Sequence, residues 1–251
     1  MALFEKCSYV SNKRSLVSIF LVNTRPCSYT ALMSVQADPT ISDEKTTGWR
    51  GSRDVWVAAA RQALIASGVD AVKIQPLAQN LQIARTSFYW FFKDRKALLD
   101  ALLEEWDAKN TGAFIDACGA YAETISEAVL NLIAVFHDEA LFEPQLDFAI
   151  RGWAHKSDAA AARVHQADEA RLTAIREMFA RFGFAENEAD VRARTVYLTQ
   201  IGYISMQVSE TAAVRIARTP GYVKTFCGQD PSASELARFY ARLRFTPAAE
   251  V

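Results

Sequence analysis

Apolar residues recur at helical spacing along nearly the whole chain after residue 51, and this periodicity constrains the fold more than any other feature. Ser52 can cap the first such segment, and Gly68 can end it in a left-handed conformation. The apolar residues on one face of this segment are Trp56, Ala60, Ala63 and Leu64. Ten glycines and seven prolines in 251 residues are too few for the many tight turns of an all-β protein. The sequence therefore predicts an all-α fold.

The remaining predicted helices share this periodic pattern. They cover residues 75–81, 84–92, 95–106, 122–137, 142–155, 158–182 and 187–209, followed by a C-terminal helix that Ser232 and Glu235 begin with a capping box. The helix over 187–209 is apolar on more than one face. Other helices must therefore cover most of its surface.

Composition excludes several classes of protein. With 51% hydrophobic and 23% charged residues, the chain fits a globular protein and not a disordered or fibrous one. No uninterrupted apolar run approaches the ~18 residues of a membrane helix, so we expect no membrane partner. The four cysteines, Cys7, Cys27, Cys118 and Cys227, lack the spacing of a metal or redox motif. This spacing predicts reduced thiols and a cytoplasmic protein.

Charge is unevenly distributed, although the formal net charge is only −1. Residues 45–96 hold nine basic and three acidic side chains, a net charge of +6. Residues 1–44 sum to zero, and residues 97–251 therefore carry −7. A short basic unit joined to a long acidic one indicates that only the first binds a polyanion. A chance fluctuation is the alternative, so charge alone does not decide the function.

The first 44 residues differ from the rest of the chain. Lys13 and Arg14 precede a short apolar stretch over 16–22, which is similar to a minimal signal peptide. The alternative that we favour is a misplaced start, with translation beginning at Met33, because the apolar stretch is short and its charges lie late. Residues 1–48 are accordingly predicted to be a disordered or mis-annotated leader.

The segment over 75–92 has the size of a helix-turn-helix, in which the second helix enters the major groove of DNA. The residues that can face inward are Ile83, Phe88, Phe91 and Phe92, which leaves Arg85, Thr86, Tyr89 and Trp90 outside. Arginine can donate to guanine, and threonine and tyrosine hydroxyls can reach bases or phosphates. The alternative is that Tyr89 and Trp90 pack on the next domain.

Several residues in and around this segment form one pattern. They are Gly68, Leu77, Ala78, Ile83, Phe88, Tyr89, Trp90, Phe92, Lys93, Asp94, Arg95, Leu98 and Leu99. The pattern resembles the N-terminal signature of TetR-type transcriptional regulators. The resemblance implies a three-helix helix-turn-helix domain over 49–96, followed over 97–251 by a larger helical domain for ligand binding and dimerisation.

The resemblance also implies a set of DNA contacts. The residues that match phosphate-contacting positions are Ser87, Tyr89 and Lys93, and those that match groove-facing positions are Arg85, Thr86 and Trp90. Gln75 matches a position near the DNA backbone, and Arg53 completes the predicted set. Two residues depart from the family pattern. Gln82 replaces a common glycine, which adds roughly 1 kcal/mol of strain if the residue is left-handed, and Lys73 replaces a capping Ser or Thr.

Residues after 97 supply the remaining predicted sites. The predicted dimer interface is a four-helix bundle, to which each subunit contributes the helix over 187–209 and the C-terminal helix. The residues predicted to face the partner are Tyr197, Ile201, Ile204, Val208, Leu236, Phe239, Tyr240 and Leu243. The alternative is a monomer whose C-terminal helix covers that surface. The candidate ligand-binding residues are Trp106, Phe114, Phe136, Phe148, Arg151, Trp153, His155, Tyr203 and Met206. Each of these also fits an ordinary helical core.

No motif of an enzyme, a cofactor or a metal site occurs. His137, His155 and His165 lack the spacing of a zinc helix, and the glycine motifs of nucleotide sites are absent. The sequence predicts a ligand-responsive transcriptional regulator, a repressor that binds a palindromic operator in double-stranded DNA as a homodimer. Its small-molecule effector is unidentified. The alternatives are a helical carrier or enzyme without DNA binding, and a regulator that responds to a protein partner or to nothing.

Overall fold

The computed structural model describes residues 51–247, and every regular element in that range is helical. The α-helices are α1 (Arg53–Ser67), α2 (Ile74–Leu81), α3 (Arg95–Trp106), α4 (Gly112–Gly119), α5 (Ile125–Val135), α6 (Pro144–Ala154), α7 (Asp158–Arg181), α8 (Glu186–Ser205), α9 (Ala212–Cys227) and α10 (Ala233–Arg242). Two 3₁₀ turns, Val69–Ala71 and Arg85–Trp90, and a π-helical turn, Asp107–Thr111, complete them. The all-α prediction is confirmed. The predicted leader over 1–48, with its start at Met33, lies outside the described residues.

The sequence pattern does not predict two of these helices, α4 and α9. Helix α4 follows α3 without a break, because the π-helical turn joins them. Helix α9 contains Pro220 and Gly221, a pair that favours a turn, yet the helix continues through both residues. Helix α8 ends at Ser205 and not at 209, since Gln207 adopts a φ of 49°.

Buried apolar side chains form two clusters. The N-terminal cluster joins α1, α2 and the Arg85–Trp90 turn to α3, α6 and the start of α7, around Trp56 and Trp106. The C-terminal cluster joins α4, α5, α8, α9 and α10 to the rest of α7, around Phe114. Because α7 contributes to both clusters, it spans their junction. The domain boundary expected between 96 and 97 stays a prediction.

A buried ion pair lies at this junction. Asp147 of α6 and Arg171 of α7 are both fully buried, and their side chains approach to 3.1 Å. Asp147 also accepts hydrogen bonds from Nε1 of Trp106 at 2.9 Å and from Nε of Arg151 at 2.8 Å. Burial alone would raise the pKa of Asp147, but Arg171 and Arg151 hold it below its usual range. The carboxylate is therefore charged at neutral pH and connects three helices.

Replacing Asp147 with Asn should lower the free energy of unfolding by about 3 kcal/mol, because Arg171 then keeps a buried charge without a counter-ion. Urea unfolding measures this change. The loss should shrink in acid, since a carboxyl group with a depressed pKa stops contributing as the pH falls through that pKa. Asp70→Asn is the matched control, because Asp70 forms only an exposed ion pair with Lys156. Equal stability of the two variants would contradict this account of the junction.

Candidate nucleic-acid interface and effector cavity

Backbone hydrogen bonds close the connection at Gln82 and Ile83, which joins α2 to the Arg85–Trp90 turn. Ile83 N donates to Ala78 O and Gln82 N donates to Gln79 O, both at 3.1 Å, which is the Schellman arrangement. Gln82 has a φ of 56° and a ψ of 35°, so the left-handed position is occupied by a residue with a side chain. Lys73 precedes α2 without a side-chain capping bond. Both departures from the family pattern therefore have the local consequences expected of them.

The Arg85–Trp90 turn is held in place from below by Phe88. This ring is fully buried. It meets the Trp56 ring edge-on and stacks on the Phe92 ring, with ring centroids 5.2 Å and 5.4 Å away. The turn is a 3₁₀ helix and not the α-helix predicted over 84–92. Phe88 O accepts hydrogen bonds from the amides of both Phe91 and Phe92, and α3 restarts at an Asp94 cap. The segment is therefore short and rigidly anchored.

The opposite side of this turn presents an exposed ridge, which we define as Arg85, Thr86, Tyr89 and Trp90. Tyr89 is 51% and Trp90 72% exposed, and Arg85 Nη2 donates to Tyr89 Oη at 3.4 Å. The alternative that these two rings are sealed against the next domain is wrong, because both remain largely open. Two more predicted contact residues, Gln75 and Lys93, are also exposed.

The other two residues of the predicted DNA-binding set are already engaged. Ser87 is buried, and its hydroxyl donates to Ala84 O at 2.7 Å, where it caps the turn from within. Arg53 lies beside Phe92 and within 3.9 Å of Glu104. Burial excludes Ser87 from a phosphate contact through its side chain, so this prediction is corrected.

Helices α5, α8 and α9 enclose a small cavity, the inner cavity below, with a volume of about 40 Å³. Its lining residues are Ile133, Phe136, His137, Val196, Thr199, Gln200, Tyr203, Arg215, Thr219, Tyr222 and Phe226. An outer cleft of about 550 Å³ adjoins it and shares Phe136, Gln200, Tyr203 and Arg215 with it. The remaining walls of the cleft come from α1, α6 and the end of α8, including Ile65, Pro144 and Phe148.

The structure brings only three of the nine candidate ligand residues to these cavities: Phe136, Phe148 and Tyr203. Trp106, Phe114 and Trp153 are buried in the apolar clusters instead. Arg151 is held by Asp147 and Asp168, and both His155 and Met206 are exposed away from the cavities. These six residues do not line the cavities and are therefore removed from the candidate ligand-binding set.

The cavity residues that sequence reasoning missed include His137, Gln200 and Arg215. Arg215 and its neighbours were hidden because α9 is not predicted from its sequence.

The predicted dimer surface also requires correction. Tyr197, Ile204 and Phe239 are buried within the subunit, since Tyr197 donates to Asp168 at 2.5 Å and the other two pack in the C-terminal cluster. Ile201, Leu236, Tyr240 and Leu243 are half-buried against that cluster, and Val208 is exposed. The exposed apolar side chains of α8 lie on another face, at Val191 and Leu198.

Residues 57–102 match the family model for bacterial regulatory proteins of the tetR family. This N-terminal part of the chain is similar to the DNA-binding part of tetR-family regulators. It is 36% identical over 70 residues to the class D tetracycline repressor of Escherichia coli, covering 28% of this chain and 32% of the repressor. It is 39% identical over 54 residues to the class A repressor from transposon 1721 of Escherichia coli, covering 22% and 25%. The chain therefore spans about a third of the length of the curated relatives it matches.

Solved structures resemble the fold over a longer range. Mycobacterium smegmatis AmtR aligns with a TM-score of 0.57 and 15% identity, covering 81% of this chain and 99% of that one. Salmonella enterica GusR aligns with a TM-score of 0.53 and 14% identity, covering 76% and 95%. At these identities the likeness supports the fold alone. The curated relatives are regulators and not enzymes, as the sequence predicts.

Two further findings concern the described part of the chain. Between residues 51 and 247, no helix is long and apolar enough to cross a membrane. In the same range, no three His, Cys, Asp or Glu side chains gather in a way that could hold a metal ion.

Replacing Gln82 with Gly should stabilise the protein by about 1 kcal/mol, because glycine adopts the left-handed conformation without a clash. Gln79→Gly is the matched control. Gln79 is exposed inside α2, where glycine should destabilise by a similar amount. Thermal unfolding of the two variants should therefore move in opposite directions, and a shift in the same direction would exclude strain at Gln82.

Proposed function

We propose that this protein is a ligand-responsive transcriptional repressor that binds a palindromic operator as a homodimer. The observation that carries the proposal is the ridge, because its arginine, its threonine and its two aromatic side chains are exposed on a turn that the buried Phe88 ring holds in place. A surface of this composition is costly to expose unless a partner covers it. Its position in a helix-turn-helix supports duplex DNA as the partner and the cytoplasm as the proposed location.

The residues of the ridge have distinct proposed roles. Arg85 can donate two hydrogen bonds to the major-groove edge of guanine, so it would read sequence. Tyr89 and Lys93 can donate to phosphate oxygens, which fixes the register of the protein without selecting a base. The contact between Arg85 and Tyr89 holds the arginine close to the turn. Base reading and backbone positioning are therefore assigned to neighbouring side chains.

A second copy of the chain is the proposed partner of the exposed face of α8. Val191 is 63% and Leu198 59% exposed, and both lie on one helical stripe with Thr195 and Gly202. The small residues on this stripe would let an equivalent helix approach closely. A two-fold dimer through this face would present two ridges for half-sites about one DNA turn apart.

The outer cleft offers a route from an effector to the DNA-binding helices. Its wall combines Ile65 of α1 with Pro144 of α6, so one ligand can touch both elements. Glu143, adjacent to Pro144, accepts from Arg61 of α1 at 3.1 Å and from Lys109 at 3.3 Å. A ligand that shifts the start of α6 would therefore shift α1. The extent of the change is set by the difference in the ligand's affinity for the two arrangements.

Tyr89→Ala should weaken binding to all DNA sequences by about tenfold, because it removes a phosphate contact. Arg85→Ala should weaken operator binding by about ten- to hundredfold and also relax base preference. An operator selected from a random DNA pool and its scrambled version, titrated in gel-shift assays, provide the measurement. Tyr121→Ala is the control, since Tyr121 is an exposed tyrosine outside the ridge.

Salt dependence separates this proposal from a helical carrier or enzyme. A protein that contacts phosphates loses DNA affinity steeply as salt rises. Unchanged DNA affinity in both ridge variants, or no affinity for DNA at low salt, would remove the proposed function.

Leu198→Glu should convert the dimer into a monomer, because it places a charge at the centre of the proposed apolar contact. Sedimentation equilibrium measures the mass, and DNA affinity should fall by at least about tenfold once the two half-sites are bound separately. Ile115→Glu is the control, because Ile115 is an exposed apolar residue on α4. A dimer that persists in Leu198→Glu would place the interface elsewhere.

A further inference from the structure

We propose that a small monocarboxylic acid binds where the inner cavity meets the outer cleft, with its carboxylate paired with Arg215 and its apolar part in the cleft against Phe136, Phe148 and Ile204. The identification of this acid as an effector rests on the proposed function, whereas its binding does not. The argument depends on which polar side chains around the cavity already have partners.

Arg215 is a cation that lines the cavity without a matched counter-ion. Within residues 51–247 its guanidinium forms no ion pair or hydrogen bond, although it lies over the Tyr203 ring at 5.0 Å. Arg218, on the same helix, is engaged instead by both carboxylate oxygens of Glu210, at 2.9 and 3.0 Å. Glu210 is the acidic group near both arginines. One carboxylate therefore serves two guanidinium groups, and a single positive charge remains at the cavity.

Two neutral polar groups face the same space. In the described part of the chain, the amide of Gln200 and the imidazole of His137 have no hydrogen-bond partner, although Gln200 is buried. Burial and the charge of Arg215 lower the pKa of His137 to about 4, so it is neutral and can donate one hydrogen bond. Buried polar groups in native proteins are nearly always hydrogen-bonded. Gln200 is the buried one of the three groups, and with the half-buried His137 and Arg215 it offers hydrogen-bond donors to a ligand that accepts them.

The other side chains restrict the kind of ligand further. The tyrosine hydroxyls are already occupied, because Tyr203 and Tyr222 are bonded to each other at 2.8 Å and Arg218 donates to Tyr203. The hydroxyls of Thr199 and Thr219 donate within their own helices, and apolar side chains form much of the remaining wall. Such a wall disfavours a heavily hydrated polyanion such as a phosphate ester. An amine would be repelled by Arg215, and a neutral ligand would leave the guanidinium without a counter-ion. A carboxylate on a small apolar body satisfies both sets of residues.

The test is calorimetric titration of the full chain with butanoate, hexanoate and phenylacetate, each paired with its neutral amide. At least one acid should bind with a Kd at least about tenfold below that of its amide, since only the acid can pair with Arg215. Arg215→Gln should bring this ratio close to one, and Arg215→Lys should retain part of it. Lys224→Gln is the matched control, because it removes a charge from an exposed ion pair on the same helix.

Three results would overturn the proposal. They are equal binding of acids and amides, an acid preference that survives in Arg215→Gln, and no binding of any acid up to about 10 mM, a concentration that would saturate a millimolar site. Gel shifts of the ligand-free protein on DNA are measured separately. Acid binding without DNA binding would contradict only the proposed function. DNA binding without acid binding would contradict only this inference.

Discussion

The carboxylate of Asp147 joins α3, α6 and α7 at the junction of the two apolar clusters. It accepts from Trp106 at the end of α3, from Arg151 on its own helix and from Arg171 on α7. A buried ion pair of this kind contributes little net stability compared with an apolar core, but losing either partner is costly. The pair therefore acts mainly as a constraint on geometry. A shift of α3, α6 or α7 relative to the other two helices would break at least one of these hydrogen bonds.

This constraint matters because the outer cleft and the DNA-facing turn are supported by the same helices. The start of α6 forms one wall of the outer cleft, and Asp147 lies one turn further along that helix. Tyr197 of α8 joins the network through Asp168 and Arg151, so the helix that lines the inner cavity is tied to it as well. A movement of α6 or α8 consequently disturbs one shared set of hydrogen bonds. Such a set favours two discrete arrangements over continuous deformation.

The parts of the structure that sequence reasoning anticipated are those that depend on local periodicity. The burial of Phe88 and Phe92 and the exposure of Tyr89 and Trp90 follow from the spacing of a single short segment and its fit against Trp56. The left-handed Gln82 follows from the needs of a tight turn. The local pattern does not reveal that Ser87 caps its own turn, because a serine hydroxyl has several neighbours within reach.

The effector cavity could not be anticipated in the same way, because its walls come from distant parts of the chain. Phe136 and Tyr203 were predictable as aromatic residues of long helices, but Arg215 belongs to a helix that Pro220 and Gly221 conceal. Arg151 illustrates the converse: an arginine four residues from a histidine on one helix resembles a polar ligand site, yet three acidic and hydroxyl partners surround it in the core.

What distinguishes Arg215 from Arg151 is therefore not residue type or helix position but pairing. Arg151 donates to Asp147, Asp168 and Tyr197, and burial among these groups leaves it no capacity for a ligand. Among residues 51–247, Arg215 forms no ion pair or side-chain hydrogen bond and lies over the Tyr203 ring, and the carboxylate within electrostatic reach is already bonded to Arg218. A half-buried cation at a cavity wall can take its counter-ion from a ligand when the protein supplies none. Arg215 is thus the residue at which the carboxylate of a ligand can supply the pairing that Asp147 supplies to Arg171 at the junction.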